Sequence, residues 1–274
     1  MSRIGERRLG KTGLMVTELG LGAMDTPQTS EGPATLETAL DLGINFIDSG
    51  REYEGSEYLL GQVLRERGDA DVYVSTKSMS RGMNGVQYDV DRSLSVLGSR
   101  HIALYHLHDV STPEAWDEVM AEDGALNGLK VAQYRGLIGH IAVSSHSLEI
   151  VERAIRSGEF GAVMLEYSAF FTESEPLLAL AEQEDIGVIV MRPLGGSGRT
   201  SAIRNRMSNA GDNDFLTPSM LLRYVLSDPR VSVAIPGARF PDRIVSNVET
   251  ALTYEPLTDA ERRRCEIEAA ALFS

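Results

Sequence analysis

Cysteine is almost absent: Cys265 stands alone among 274 residues. A single thiol excludes a disulfide framework and a cysteine-ligated metal cluster, so the fold must rest on its packed core. Surplus positive charge is missing as well. Against 40 acidic residues stand 26 lysines and arginines, a formal net charge of −14. No broad basic face is available for nucleic acid or an anionic membrane, and any bound anion needs a local basic pocket. Long apolar runs are lacking too, and none approaches the roughly 20 residues that cross a bilayer. The opening residues, MSRIGERRLG, carry no apolar stretch of the secretory kind. These absences lead us to expect a protein of the reducing cytoplasm, a monomer or small homo-oligomer that engages neither nucleic acid nor membrane.

What is present suits a large packed fold. Apolar residues make up 42% of the chain, which supports a real core and argues against disorder. Arg7-Arg8-Leu9 and Leu14-Met15-Val16 flank Gly10-Lys11-Thr12-Gly13, a pattern that predicts a short hairpin. Beyond it, apolar runs predict strands over 18–22, 44–48, 72–76, 102–107, 137–142, 162–166, 187–191 and 231–235. Amphipathic helices fall between them. Val90, Leu94 and Leu97 share a face, as do Leu148, Val151 and Ile155, and Ile244, Val248 and Ala251. Thr112-Pro113 and Thr217-Pro218 each place a cap before a helical proline, and Thr258 to Glu261 reads as a capping box opening an extra C-terminal helix. Alternating β and α elements imply parallel strands joined by right-handed crossovers. Eight such units in roughly 250 residues match a (β/α)₈ TIM barrel, with residues 1–274 as one domain. An open doubly wound sheet is the rival, weakened because no GxGxxG links the first strand to a helix.

Three of these strands deliver a residue with acid–base chemistry. Ile44 to Ile47 leads to Asp48, with Tyr53 five residues on; Val72 to Thr76 leads to Lys77; Ile102 to Leu107 leads to His108. Strand ends of a barrel converge on one mouth, so Asp48, Lys77 and His108 should lie within side-chain reach, with Tyr53 leaning in from its loop. A free phenol has a pKa near ~10 and gives up its proton poorly at neutral pH. An ammonium nearby stabilises the phenolate while a carboxylate keeps the ammonium aimed, so Lys77 is expected to lower the Tyr53 pKa. Such a group suits protonation of an oxygen that gains negative charge, as when a carbonyl accepts hydride. His106 shares strand parity with His108 but lies deeper, and is read as a hydrogen-bonded interior residue.

Barrels commonly hold phosphate with the loops after strands seven and eight and a nearby helix N-terminus. The first of these loops runs from Leu194 through Gly195, Gly196 and Ser197 to Arg199, ahead of a polar stretch from Asn205 to Asp214. The second is Pro236-Gly237-Ala238-Arg239-Phe240-Pro241. Glycines there let backbone N–H groups approach a pyrophosphate, and Arg199 adds charge.

The segments RRLGKTGLMVTELGLGAM, GINFIDSGREYEGSEYLLG, VYVSTK, LYHLHDV and IPGARFPDRIVSN together resemble the aldo-keto reductase family over nearly the whole chain. The resemblance implies that Asp48, Tyr53, Lys77 and His108 form a catalytic tetrad with Tyr53 as general acid. It implies a nicotinamide cofactor, NADPH with NADH as the alternative, held in extended form at the barrel mouth, and a small-molecule carbonyl substrate. It assigns the adenosine 2′-phosphate to Arg239 and Arg243, and the adenine to Asn247. At the nicotinamide end the chain departs from the family pattern. Ser144-Ser145 and then Met164 stand where relatives often carry Ser-Asn and Gln; Met191, followed by Arg192, replaces a stacking tyrosine, and Gly237 replaces a lysine. Carbonyl reduction is the leading expectation. A nicotinamide-nucleotide-binding sensor with little turnover and a non-redox barrel isomerase or lyase are the alternatives.

Overall fold

The computed structural model describes residues 3–68, 71–196 and 215–272. A hairpin of β1 (Glu6–Arg8) and β2 (Met15–Thr17) opens the chain. Eight strands follow: β3 (Leu21–Gly22), β4 (Phe46–Asp48), β5 (Tyr73–Ser78), β6 (Ile102–Leu107), β7 (Ile138–Ser144), β8 (Ala162–Glu166), β9 (Gly187–Met191) and β10 (Val233–Ile235). Each pairs in parallel with its neighbours in strict sequence order, β3 through β10. The two ends of this sheet meet: Ala234 donates to the Glu18 carbonyl at 2.9 Å, and Gly20 donates to the Ala234 carbonyl at 2.8 Å. The sheet is thereby a closed (β/α)₈ barrel, as the alternating pattern predicts.

Ten helices stand among the described residues: α1 (Gly32–Asp41), α2 (Ser56–Arg67), α3 (Met83–Leu97), α4 (Pro113–Met120), α5 (Ala125–Tyr134), α6 (Leu148–Ser157), α7 (Glu175–Gln183), α8 (Pro218–Leu226), α9 (Pro241–Thr253) and the extra C-terminal α10 (Asp259–Ala271). Thr112 and Thr217 cap α4 and α8 by accepting from Ala115 and Met220, and Thr258 forms the full capping box with Glu261. None of the described helices is long and apolar enough to cross a membrane.

Some strands differ from their expected bounds. The Ile44 amide turns back to the Ala39 carbonyl of α1 at 3.0 Å, so β4 starts only at Phe46. Val231 bonds Asp228 at 3.2 Å, which delays β10 to Val233. β5 instead runs on through Ser78, so Lys77 lies inside the strand and not beyond it. Period-2 geometry then points Ser75 and Lys77 to the same face.

The barrel interior is filled by Phe46, Leu104, Ala142, Ala162, Met164, Ile189, Val233 and Ile235. Leu9 and Val16 of the hairpin, both fully buried, join this cluster. The hairpin is therefore a plug, and the strand C-terminal ends form the opposite rim. Fitting the plug requires close backbone approach. Gly10 sits at φ +50°, and a Cβ there would lie 2.1 Å from the Gly187 amide nitrogen. Gly10→Ala should therefore lose about 3 kcal/mol or more of stability, combining left-handed strain with a backbone clash. Urea unfolding with a midpoint within error of the parent would contradict that account of the plug.

Candidate active site

β4 ends on Asp48, 3% exposed, and β5 brings in Lys77, 1% exposed. The Lys77 ammonium donates to Asp48 Oδ2 at 2.5 Å and to the Ser49 carbonyl at 2.6 Å. Burying an ammonium is tolerable only with such pairing. The second carboxylate oxygen, Oδ1, accepts from Ser75 Oγ at 2.9 Å. Ser75 has one proton to give, and His106 Nε2 lies 2.9 Å from the same hydroxyl oxygen. His106 must therefore donate its Nε2–H to Ser75. Burial pushes the His106 pKa well below the usual histidine value, with the charges of Lys77 and His108 acting the same way. A chain of hydrogen bonds thus runs from the barrel core to the lysine.

Tyr53 stands over this pair. Its ring centroid is 4.7 Å from the Lys77 nitrogen, and its backbone N–H closes a turn onto the Gly50 carbonyl at 3.1 Å. Gly50 carries no Cβ because one would crowd the ring at 3.2 Å and the lysine stem at 3.1 Å. The Tyr53 pKa moves upward, against the sequence-based expectation. Burial is the main cause, the Asp48 and Glu52 carboxylates add to it, and Arg192 opposes it. The ammonium that should have lowered it is already engaged by Asp48.

His108 follows β6, and its amide donates to the Ser78 carbonyl at 2.9 Å. Its ring meets the Tyr53 ring edge to face, with centroids 5.5 Å apart and planes at 89°. Nδ1 lies 2.9 Å from Glu52 Oε2, while Glu52 Oε1 accepts the Met79 amide at 2.8 Å. Burial alone would raise the Glu52 pKa, yet the bonds from His108 and Met79 bring it below the usual carboxylate value. Arg81 clamps the turn beyond, donating to the His108 and Asp109 carbonyls at 2.8 Å each. Asp109 is held at φ 51° and donates its amide to Ser144 Oγ at 3.0 Å.

The residues proposed for the nicotinamide lie along the same rim. Ser145 donates its amide to the Met164 carbonyl at 3.1 Å, and its own hydroxyl accepts from Ser147 at 3.0 Å. Met164, buried in the middle of β8, belongs to the interior cluster, and Met191 at the end of β9 packs against that cluster. Above them, Glu166 Oε1 is shared between His146 Nδ1 at 2.6 Å and Arg192 Nη1 at 3.0 Å. The His146 hydrogen bond is the first cause that pulls the Glu166 pKa down, and Arg192 contributes to it. Arg192 sits at φ 52°, and its carbonyl accepts the Gly195 amide at 2.8 Å. Leu194 is buried beside it, and the Gly196 Cα faces the Arg192 stem. Ser197 and Arg199 lie outside the described residues, as does the run from Asn205 to Asp214.

The second loop is described in full. Gly22 and Gly237 pair across the barrel seam, and a Cβ on Gly22 would lie 2.9 Å from the Ile235 carbonyl. α9 starts at Pro241 with no side-chain cap. Arg239, exposed, lies 3.3 Å from Asp25; Arg243, also exposed, lies 3.6 Å from Asp242, and Asn247 is one turn further on. Sequence reasoning missed Glu52, Ser75 and Glu166. Parity signals two of them, since Ser75 precedes Lys77 by two residues and Glu166 follows Met164 by two.

Comparison with known proteins agrees with this architecture. The model of the aldo/keto reductase family matches residues 18–268. The uncharacterized oxidoreductase YqkF of Bacillus subtilis is 24% identical over 284 residues, covering 90% of each chain. L-galactose dehydrogenase of Arabidopsis thaliana is 24% identical over 305 residues, covering 98% of this chain and 95% of that one. The holo form of the aldo-keto reductase AKR11C1 from Bacillus halodurans superposes with a TM-score of 0.81 over 97% of this chain and 96% of that one, at 22% identity, a likeness of fold. The class so defined is a barrel oxidoreductase that works with a nicotinamide nucleotide. The chain belongs to the aldo/keto reductase family and is accordingly an NAD(P)H-dependent oxidoreductase acting on carbonyl or alcohol groups.

Two outcomes test the electrostatics. Lys77→Met leaves the Asp48 carboxylate buried and uncompensated, so unfolding free energy should drop by about 3–5 kcal/mol. A loss below about 1 kcal/mol would mean that Asp48 finds another partner or solvent. For Glu166 the folded pKa lies below the unfolded one. Its contribution is then present above the ordinary glutamate pKa of ~4.3 and disappears as pH falls through the folded value. Glu166→Gln should lessen the acid-side loss of stability below about pH 4.3 and lower the thermal midpoint near neutrality.

Proposed function

We propose that the protein, working as a single barrel unit in the cytoplasm, reduces the carbonyl group of a small aldehyde or ketone to an alcohol, using NADPH. When bound, the nucleotide supplies hydride, two electrons with one hydrogen, to the carbonyl carbon. The observation that carries the reading is the buried Lys77–Asp48 pair at 2.5 Å set under Tyr53, with the His108 ring edge-on to the same phenol.

Tyr53 gives its proton to the oxygen that becomes negative, and the resulting phenolate is stabilised by Lys77 and recharged from solvent. The raised Tyr53 pKa is compatible with this task. An alkoxide is a far stronger base than an ordinary phenolate, so the oxygen that becomes negative still draws the proton from the phenol. Asp48 keeps Lys77 charged and aimed. His108 faces the same space and orients the carbonyl.

The nucleotide fits the residues present. At the N-terminus of α9, which has no side-chain cap, Pro241 lacks an N–H and the Arg243 amide bonds the Phe240 carbonyl at 3.1 Å, so the flanking Arg239 and Arg243 side chains are what suit an anion there. These would hold the 2′-phosphate, with Asn247 near the adenine. Gly195 and Gly196 at positive φ, with Gly237 at the seam, leave room for backbone approach to a pyrophosphate. Ser144, Ser145, Met164 and Met191 would face the nicotinamide, where the methionines offer polarizable packing in place of an aromatic ring.

The test joins turnover with binding. Tyr53→Phe should lower kcat for carbonyl reduction by about 10²–10⁴-fold and leave NADPH affinity, read by nicotinamide fluorescence, nearly unchanged. Arg243→Ala should weaken NADPH by about tenfold or more while NADH changes little. Normal turnover in Tyr53→Phe would remove the phenol as the acid, and equal losses for both nucleotides would remove the arginine from the 2′-phosphate.

A further inference from the structure

The histidine of the rim does not stand alone. Glu52 grips His108 Nδ1 at 2.9 Å through Oε2, and is itself anchored at Oε1 by the Met79 amide at 2.8 Å. One side chain thus ties the loop after β4 to the ends of β5 and β6. We propose that Glu52 is a positioning residue that fixes the standing proton of His108 on Nδ1, so that Nε2 donates to a carbonyl oxygen only in the charged imidazole.

An ionised carboxylate has no proton to give, so the hydrogen in the Glu52–His108 contact belongs to Nδ1. Glu52 is held ionised by its two donors. A neutral His108 then has a bare lone pair on Nε2. A carbonyl oxygen brought to it would meet acceptor against acceptor, and binding would fail. Protonation of Nε2 turns the same atom into a charge-assisted donor, the stronger kind of hydrogen bond. An alcohol makes no such demand, because its oxygen accepts from the charged ring as well while its O–H is directed to the Tyr53 phenolate. Proton occupancy at a single atom therefore gates the carbonyl side of the reaction.

The surroundings leave this choice to the local pair. From the loop after β4 come Glu52 and Tyr53, from β4 Asp48, and from β5 and its exit Lys77 and Arg81. From β6 and its exit come His106 and Asp109, and from the end of β9 Arg192. Asp48, Glu52 and Asp109 balance Lys77, Arg81 and Arg192, while Tyr53 and His106 are neutral. Of these groups, the Glu52 carboxylate is the one bonded directly to the ring.

The inference rests on carbonyl–alcohol chemistry at this site, and its test separates the two. The full-length protein labelled with ¹⁵N-histidine and carrying no ligand should show His108 Nδ1 protonated on both sides of the ring's titration, with only Nε2 changing. Glu52→Gln offers either an amide oxygen or an NH₂ group, so the neutral ring should appear as a mixture of both tautomers. In turnover, kcat/KM for carbonyl reduction by the parent should fall about tenfold per pH unit above that titration. Glu52→Gln should flatten this limb, since a neutral Nε2–H donor becomes available. A parent spectrum with the neutral proton on Nε2, or a Glu52→Gln pH profile superimposable on the parent's, overturns the proposal. Should the chain reduce no carbonyl at all, the functional reading falls separately, and the spectrum still upholds or overturns the fixed proton.

Discussion

An ammonium group sealed inside a barrel needs a carboxylate, and the contact between Lys77 and Asp48 is the constraint from which the rim is built. Once that pair is fixed, the neighbours have defined tasks. Ser75 and the Ser49 carbonyl satisfy the remaining atoms, and His106 satisfies Ser75. Gly50 removes the side chain that would hold the phenol away. Even the upward displacement of the Tyr53 pKa follows, because the phenol is buried over the same site, close to the Asp48 carboxylate that holds the lysine.

Electrostatically the rim divides into two clusters. One, on β4 to β6, holds Asp48, Lys77, Glu52 and His108 around the phenol. The other, on β7 to β9, gathers His146 and Arg192 on Glu166. Arg192 links them, since its charge reaches Tyr53. Its φ of 52° is strained for a side-chain-bearing residue, as is the 51° of Asp109 across the mouth. Strained backbone of this kind persists where surrounding contacts over-determine it, here the Glu166 carboxylate and the Ser144 hydroxyl.

Much of this was legible in the chain. Eight short apolar runs separated by amphipathic segments specify a closed parallel barrel, because such strands bury both faces and their crossovers have one hand. Asp48, Tyr53, Lys77 and His108 were legible because strand exits of a barrel share one end. Thr112, Thr217 and Thr258 were legible as caps because their spacing to a proline or glutamate is local. What escaped were consequences of pairing between distant segments. Glu52 looks like any loop acid until the β6 exit is brought beside it. Ser75 and Glu166 carry no local signal beyond parity. The direction of the Tyr53 shift is set first by how deeply the phenol is buried and then by the Asp48 and Glu52 carboxylates beside it, neither of which spacing in sequence encodes.

Leu9 and Val16 close the far end of the barrel, and this has a consequence for traffic through it. A vessel stoppered below has one doorway, so whatever reacts at the phenol must arrive and depart by the same opening. If a long nucleotide lies across that opening with its ring innermost, a smaller companion can settle only on top of it. Exchange would then be sequential, last in and first out, dictated by two buried aliphatic side chains some distance from any chemistry.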